Sequence, residues 1–123
     1  MNVARLTQII LVAAGLGYLL IGLTQLLAPQ WFFTNVGNFP PFNRHYVGDL
    51  GAFTLPLGVG LLFAARAPRQ HRSLIGVGAG ISTLHALNHL YDDLVTGPAA
   101  FAQTLSLLLL AALLIVAWFA AKE

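Results

Sequence analysis

The chain has 123 residues, of which 58% are hydrophobic and 8% charged, whereas an ordinary soluble domain carries roughly 25% charged residues. This composition leaves too few polar side chains to cover a soluble domain, so it predicts a protein that lies in a lipid bilayer. The net charge of +2 excludes a nucleic-acid partner, and the absence of cysteine excludes disulfides, thiolate zinc sites and iron–sulfur clusters.

Four apolar segments are long enough to cross a bilayer, which takes about 20 apolar residues. They cover residues 6–28, 46–65, 73–91 and 98–121. The first is interpreted as a retained span, because it is longer than the apolar core of a signal peptide and no small-x-small cleavage site follows it. The sequence therefore predicts an all-α fold, in which residues 1–123 form one integral membrane four-helix bundle.

Glycines punctuate the second and third spans, at Gly48, Gly51, Gly58, Gly60, Gly76 and Gly80. Small residues let membrane helices approach closely. We therefore expect these glycines to mark helix contacts.

The basic residues orient the bundle, because cytoplasmic loops are enriched in Lys and Arg. If the four spans alternate in direction, one side receives Arg5, Arg66, Arg69, Arg72 and Lys122, and the other receives Arg44. The expectation is a multi-pass protein of the cytoplasmic (inner) membrane with both termini in the cytoplasm. The loops at 29–45 and 92–97 would then lie outside.

The first outer loop is rich in aromatic side chains, namely Trp31, Phe32, Phe33, Phe39 and Phe42. Aromatic rings concentrate at the headgroup level of a bilayer, so one interpretation is an interfacial belt, matched on the inner side by Trp118 and Phe119. The alternative is a lid over a site between the helices.

Polar side chains lie near the outer ends of all four spans. His45 and Asp49 lie four residues apart in the second span, and the third carries His85, Asn88, His89 and Asp92 on one helical face. Gln25 and Gln103 fall in the same outer layer. Ionisable residues inside a span usually face the bundle interior and mark a functional site. We therefore expect a polar pocket that opens to the outer side.

The histidine spacing allows a metal site. His85 and His89 are spaced like chelating helical pairs, and His45 and Asp49 repeat that spacing on a second helix. Together the four would form a shell for zinc, iron or copper, with Asp92 orienting an imidazole through its other nitrogen. A haem held by His45 and one of the other two histidines is a further alternative.

Without a metal, the same four residues suit general acid–base catalysis, because a histidine beside an aspartate exchanges protons near neutral pH. A pocket at the membrane interface implies a lipid-like substrate such as a quinone or an isoprenoid, held by Arg44, Asn88, Gln25 and Gln103. The favoured function is therefore a membrane oxidoreductase, or an isomerase or epoxide-opening enzyme. The alternative is a non-enzymatic structural or accessory subunit, with the His and Asp residues as a helix-packing network. A homo-oligomer is compatible with either.

Two motifs carry a resemblance to a known group of proteins. The segment Asn43-Arg44-His45-Tyr46-Val47-Gly48-Asp49-Leu50-Gly51-Ala52, followed later by His85-Ala86-Leu87-Asn88-His89, resembles small four-helix bacterial membrane proteins of the DoxX-like kind. The likeness covers most of the chain in span number and loop placement. It implies a four-helix membrane fold with a polar centre. Named DoxX proteins are linked to oxidoreductase or quinone-linked roles, whereas many similar proteins are domains of unknown function.

Overall fold

The computed structural model describes residues 2–97 and 101–122 as five helices, with no strand in those ranges. The helices are α1 (Val3–Leu27), α2 (Pro29–Asn35), α3 (Arg44–Ala64), α4 (Arg72–Thr96) and α5 (Phe101–Ala120). The all-α prediction is confirmed. The four predicted spans correspond to the four long helices, and residues 98–100 of the last span lie outside the described residues.

The short helix α2 falls within the segment that the sequence analysis treated as a loop. Pro29 occupies its first turn, where the fixed φ of proline suits a helix and the missing N–H has no partner to lose. Ala28 separates α2 from α1, and its backbone N–H still bonds to the carbonyl of Thr24. The chain therefore turns sharply at this point instead of running out as an open loop.

Three helices, α1, α3 and α5, are long and apolar enough to cross a membrane. Helix α4 has 25 residues, which is sufficient length, but the His, Asn and Asp side chains of its second half reduce its mean hydropathy. Large apolar side chains cover the outside of the long helices, for example Phe53, 81% exposed, and Leu84, 71% exposed. Soluble proteins rarely expose apolar surface on this scale, so these features indicate a membrane protein.

The long helices pack as two pairs, α1 with α3 and α4 with α5. In the first pair the backbones touch at glycines. A Cβ atom on Gly58 would lie 2.5 Å from the backbone N of Leu19, and one on Gly22 would lie 2.6 Å from the backbone N of Leu55. Gly51 is similarly crowded, whereas Gly48 and Gly80 have open space where a Cβ would be. The predicted glycine contacts are therefore formed at some positions and not at others.

The two pairs converge at the end of the bundle where α1 begins and α5 ends. Leu11, Leu61, Ile75 and Leu114, one from each long helix, are completely buried there among alanines. We call this the sealed end and the opposite end the open end. Alanine side chains allow close approach of the four backbones at the sealed end.

Hydrogen bonds between helices involve groups other than the histidines. The Tyr18 hydroxyl lies 2.6 Å from the Ser82 hydroxyl and links α1 to α4. The Thr104 hydroxyl donates to an Asp93 carboxylate oxygen at 2.6 Å and links α5 to α4. At the sealed end, Gln8 donates to the Ala65 carbonyl. These bonds hold the pairs in register.

Candidate functional site

A cavity of ≈ 1020 Å³ lies among the long helices and extends to the open end. This volume is at the upper end of the roughly 300–1,000 Å³ typical of small-molecule pockets. All five helices contribute to its wall, which is mainly apolar. On α1 alone the lining residues run from Ile9 to Gln25, about 24 Å at the helical rise of about 1.5 Å per residue. The cavity is therefore elongated along the helix axes.

The segment between α1 and α3 covers the open end of the cavity. Phe32 is buried, and Phe33 and Phe39 line the cavity beside it. Gly37 lies against the Phe32 ring, where a Cβ would be 2.9 Å from a ring carbon. The remaining aromatics of this segment, Trp31 and Phe42, are exposed and do not line the cavity. Some rings of the segment thus lie over the cavity, as in a lid, and others lie outside it, as in an interfacial belt.

Both histidines of α4 line the cavity. His89 is buried, and its ring meets the Phe39 ring edge-on at a centroid distance of 5.5 Å. His85, one turn earlier, is exposed, and its ring centroid lies 4.9 Å from that of His89. The pair places one imidazole inside the protein and the next one nearer to its surface.

The two predicted glutamines also line the cavity. Gln103 is half-buried, whereas Gln25 is only 5% exposed. The Gln25 Oε1 atom is buried without a hydrogen-bond partner, and it is the one such side-chain atom in the part of the chain that the structure describes. A buried polar atom left without a partner costs free energy, roughly 1–3 kcal/mol. At the Gln25 amide oxygen, a bound molecule could supply the hydrogen-bond donor that the described part of the protein does not.

His45 and Asp49 do not join this site. Their side chains are 79% and 56% exposed, they pair with each other at 3.4 Å, and neither lines the cavity. The physical reason is the rotation of α3, since the glycine contacts turn Val47, Gly51 and Gly58 toward α1 and so point His45 and Asp49 away. The expectation that the two polar pairs meet is not fulfilled.

The donor set does not fit the predicted metal shell. Among residues 2–97 and 101–122, no three His, Asp or Glu side chains are arranged to hold a metal ion. The α4 histidines alone offer two nitrogen donors. A haem between α3 and α4 fits no better, because His45 is outside the cavity.

The other predicted residues lie around the cavity and do not line it. Arg44 is exposed at the start of α3. Asn88 is exposed, and its side-chain amide donates to an Asp92 carboxylate oxygen at 3.5 Å. Arg44 and Asn88 were predicted to bind substrate and Asp92 to orient an imidazole, but none of the three is on the cavity wall.

Tyr18 is the site residue that sequence reasoning missed. It lines the cavity at mid-depth, and its hydroxyl bonds to Ser82. The signal was present, because a phenol in one span and a serine in another, both near mid-membrane, each need a partner in an apolar environment. Thr54 of α3 also lines the cavity, and its hydroxyl donates to the Leu50 carbonyl.

Comparison of the chain with protein-family models, with curated proteins and with solved structures gave no match.

Proposed function

We propose that this chain binds a lipid-like small molecule in the cavity and acts on it by proton transfer through His85 and His89. The observation that carries the proposal is the buried, partnerless Gln25 amide oxygen beside an otherwise apolar cavity that also holds the His89 ring. An apolar pocket with a few convergent polar groups is the usual form of a small-molecule site. The reaction classes that suit this site are isomerisation and epoxide opening.

The imidazoles of His89 and His85 have different roles in the proposed proton transfer. A neutral imidazole accepts a proton at one nitrogen and donates at the other, so His89 can exchange a proton with a bound molecule. His85, whose ring centroid lies 4.9 Å from that of His89, can take up or return a proton as the second member of the pair. The orientation of the His89 ring is set by its contact with Phe39. Closure by the aromatic segment would keep bulk water away from the reacting group.

The proposal includes a membrane topology with four crossings in the cytoplasmic membrane and both termini inside. Helix α4 supports it, because Val77, Leu84 and Leu87 are exposed apolar side chains along its middle that do not line the cavity. The histidines of α4 face the cavity and so cost less than lipid-facing ones. A DoxX-like relationship, with the quinone-linked role it implies, belongs to the same proposal.

The role of a purely structural subunit has less support. A packing network would tie helices together through the polar residues, and the bonds that do so are Tyr18 to Ser82 and Thr104 to Asp93. In the cavity, His85 and His89 contact each other, and His89 contacts Phe39. They are therefore available for a bound molecule.

A matched pair of glycine variants tests cavity binding. Gly17 lines the cavity and Gly80 does not, and a Cβ at either position meets nothing within 4 Å. We expect Gly17→Phe to fill the cavity and abolish co-purification of a lipid-like molecule, detected by mass spectrometry of solvent extracts. Gly80→Phe should retain it. Equal amounts in both variants, or none in the parent protein after incubation with total membrane lipid, would refute the proposal.

A second pair of variants tests the acid–base role. Total membrane lipid is incubated with the reconstituted protein, and a species that changes by rearrangement or by gain of one water is sought by chromatography and mass spectrometry. His89→Gln should lose this conversion by about 100-fold or more, as expected for loss of a general acid or base. His45→Gln, outside the cavity, should leave it unchanged. A conversion lost equally in both variants argues against catalysis by the α4 pair.

A further inference from the structure

We infer that the bound molecule is a long-chain alcohol, with an uncharged hydroxyl head and no phosphate, carboxylate or ammonium group; this inference rests on the proposed function. The polar side chains on the cavity wall are uncharged amides and hydroxyls together with the two imidazoles. No Lys, Arg, Asp or Glu of the described residues lines the cavity. Burying a charged head in this cavity carries a desolvation cost that only a protonated imidazole could offset, and only for an anion, so the wall favours an uncharged head.

The charged side chains that the structure describes at the open end do not line the cavity. Arg44 is exposed off the cavity, and the Asp49 carboxylate pairs with His45 on the outer surface of α3. The Asp93 carboxylate accepts from Thr104 on the α4–α5 side. None of these groups lines the cavity, so its wall favours an uncharged head over the charged head of a phospholipid.

The Gln25 amide specifies the hydroxyl. Its Oε1 has no donor in the protein, and Tyr18 cannot supply one, because its hydroxyl hydrogen is directed at Ser82. Ser82 in turn donates to the Gly78 carbonyl, so it must accept from Tyr18. A ligand hydroxyl both donates and accepts. It can therefore pair with the Gln25 amide whichever of the two amide atoms faces the cavity, whereas an ether or a ketone cannot.

The rest of the cavity fits the chain of such an alcohol. Below Gln25, toward the sealed end, the wall consists mainly of apolar residues such as Ile10, Leu57 and Leu110. Its length along α1 is about 24 Å by the helical rise. Apart from the Tyr18 hydroxyl at mid-depth, few groups in this part would pair with a bulky polar group, whereas an extended hydrocarbon tail needs no such partner.

The test uses three probes with one tail, namely geranylgeraniol, its methyl ether and its monophosphate. Each is titrated into the full chain in a non-ionic detergent, and bound probe is counted by native mass spectrometry. We expect the alcohol to bind about tenfold or more tightly than either analogue, the factor that an unsatisfied buried partner produces. Gln25→Leu should reduce the preference for alcohol over ether to about onefold. Gln70→Leu, in the loop at the sealed end, should leave it intact.

The outcomes separate this inference from the function on which it rests. If the phosphate or the ether binds as tightly as the alcohol, and Gly17→Phe blocks that binding, the alcohol assignment is overturned and cavity binding stands. If no probe binds the parent protein, or Gly17→Phe binds all three as the parent does, both fail. Because the ether still binds in Gln25→Leu when that variant is folded, a misfolded variant is recognised directly.

Discussion

A hydrogen bond between the hydroxyl groups of Tyr18 and Ser82 helps to hold the two helix pairs together. Ser82 has one hydroxyl hydrogen, which it donates to the Gly78 carbonyl at 2.7 Å, so Tyr18 must donate to Ser82. The bond joins α1 to α4, and its Tyr18 side chain lines the cavity. It is therefore a crosslink between the pairs and part of the cavity wall.

Removing the Tyr18 hydroxyl should destabilise the fold modestly. Tyr18→Phe loses one interhelical bond and leaves Ser82 satisfied by Gly78, so we expect the free energy of unfolding to fall by about 1 kcal/mol. The measurement is denaturant-induced unfolding in mixed micelles. The double variant with Ser82→Ala should show a coupling of similar size. Additive effects in that double-mutant cycle would mean that the crosslink does not contribute to stability.

At the scale of elements, the rotation of α3 determines which polar residues reach the cavity. Close contacts of Gly51 and Gly58 with α1 fix that rotation, because any side chain there would collide with the α1 backbone or its side chains. Tyr46, Val47 and Leu50 consequently line the cavity, and His45 and Asp49 face outward. The glycines of α3 thus keep His45 and Asp49 away from the two histidines of α4.

Two alanine variants of α3 should have opposite effects. Gly58→Ala places a Cβ 2.5 Å from the backbone N of Leu19 and should lower the free energy of unfolding by about 1–3 kcal/mol, the usual cost of overpacking. Gly48→Ala meets no neighbour and should raise it by about 0.5–1 kcal/mol, because alanine loses less entropy in a helix. Thermal unfolding of both variants in one detergent checks the prediction, and the same sign for both would contradict it.

The sequence carried much of this architecture, but not the rotation of its helices. Apolar length located the four long helices, and the outer depth of Gln25, Gln103, His85 and His89 was enough to group them. Helical periodicity alone does not determine which face of α3 meets α1. Gly48 and Gly58 look equivalent in the sequence, but only Gly58 is in contact with α1. The same ambiguity placed His45 and Asp49 in the site. Helix α2 was missed because a seven-residue helix carries little periodic signal.

At the scale of the whole molecule the two ends differ, because one large side chain from each long helix is completely buried at the sealed end, whereas the cavity extends to the open end. The sealed end also carries most of the cations, several of them stacked on aromatic rings. Arg72 lies 4.7 Å from the Trp118 ring centroid and Lys122 lies 4.8 Å from that of Phe119. Cations on interfacial aromatics are typical of the cytoplasmic face of a membrane.

Cysteine labelling can test the resulting orientation without background, because the chain contains no cysteine. Asn38→Cys lies in the segment over the open end and Gln70→Cys in the loop at the sealed end. In intact cells, a membrane-impermeant maleimide should label the first and not the second. After the membrane is permeabilised both should react, and that serves as the control. Labelling of Gln70→Cys in intact cells would invert the proposed topology.

The sealed end sets a limit on the energetics of any reaction in the cavity. Toward that end the cavity wall consists of residues such as Ile9, Ile10 and Leu113, which cannot relay a proton. In the proposed mechanism and topology, a proton that reaches His89 would therefore leave on the side from which it came. Such a reaction would move no charge across the membrane, so it would neither consume nor generate membrane voltage, and it would follow the acidity of a single compartment.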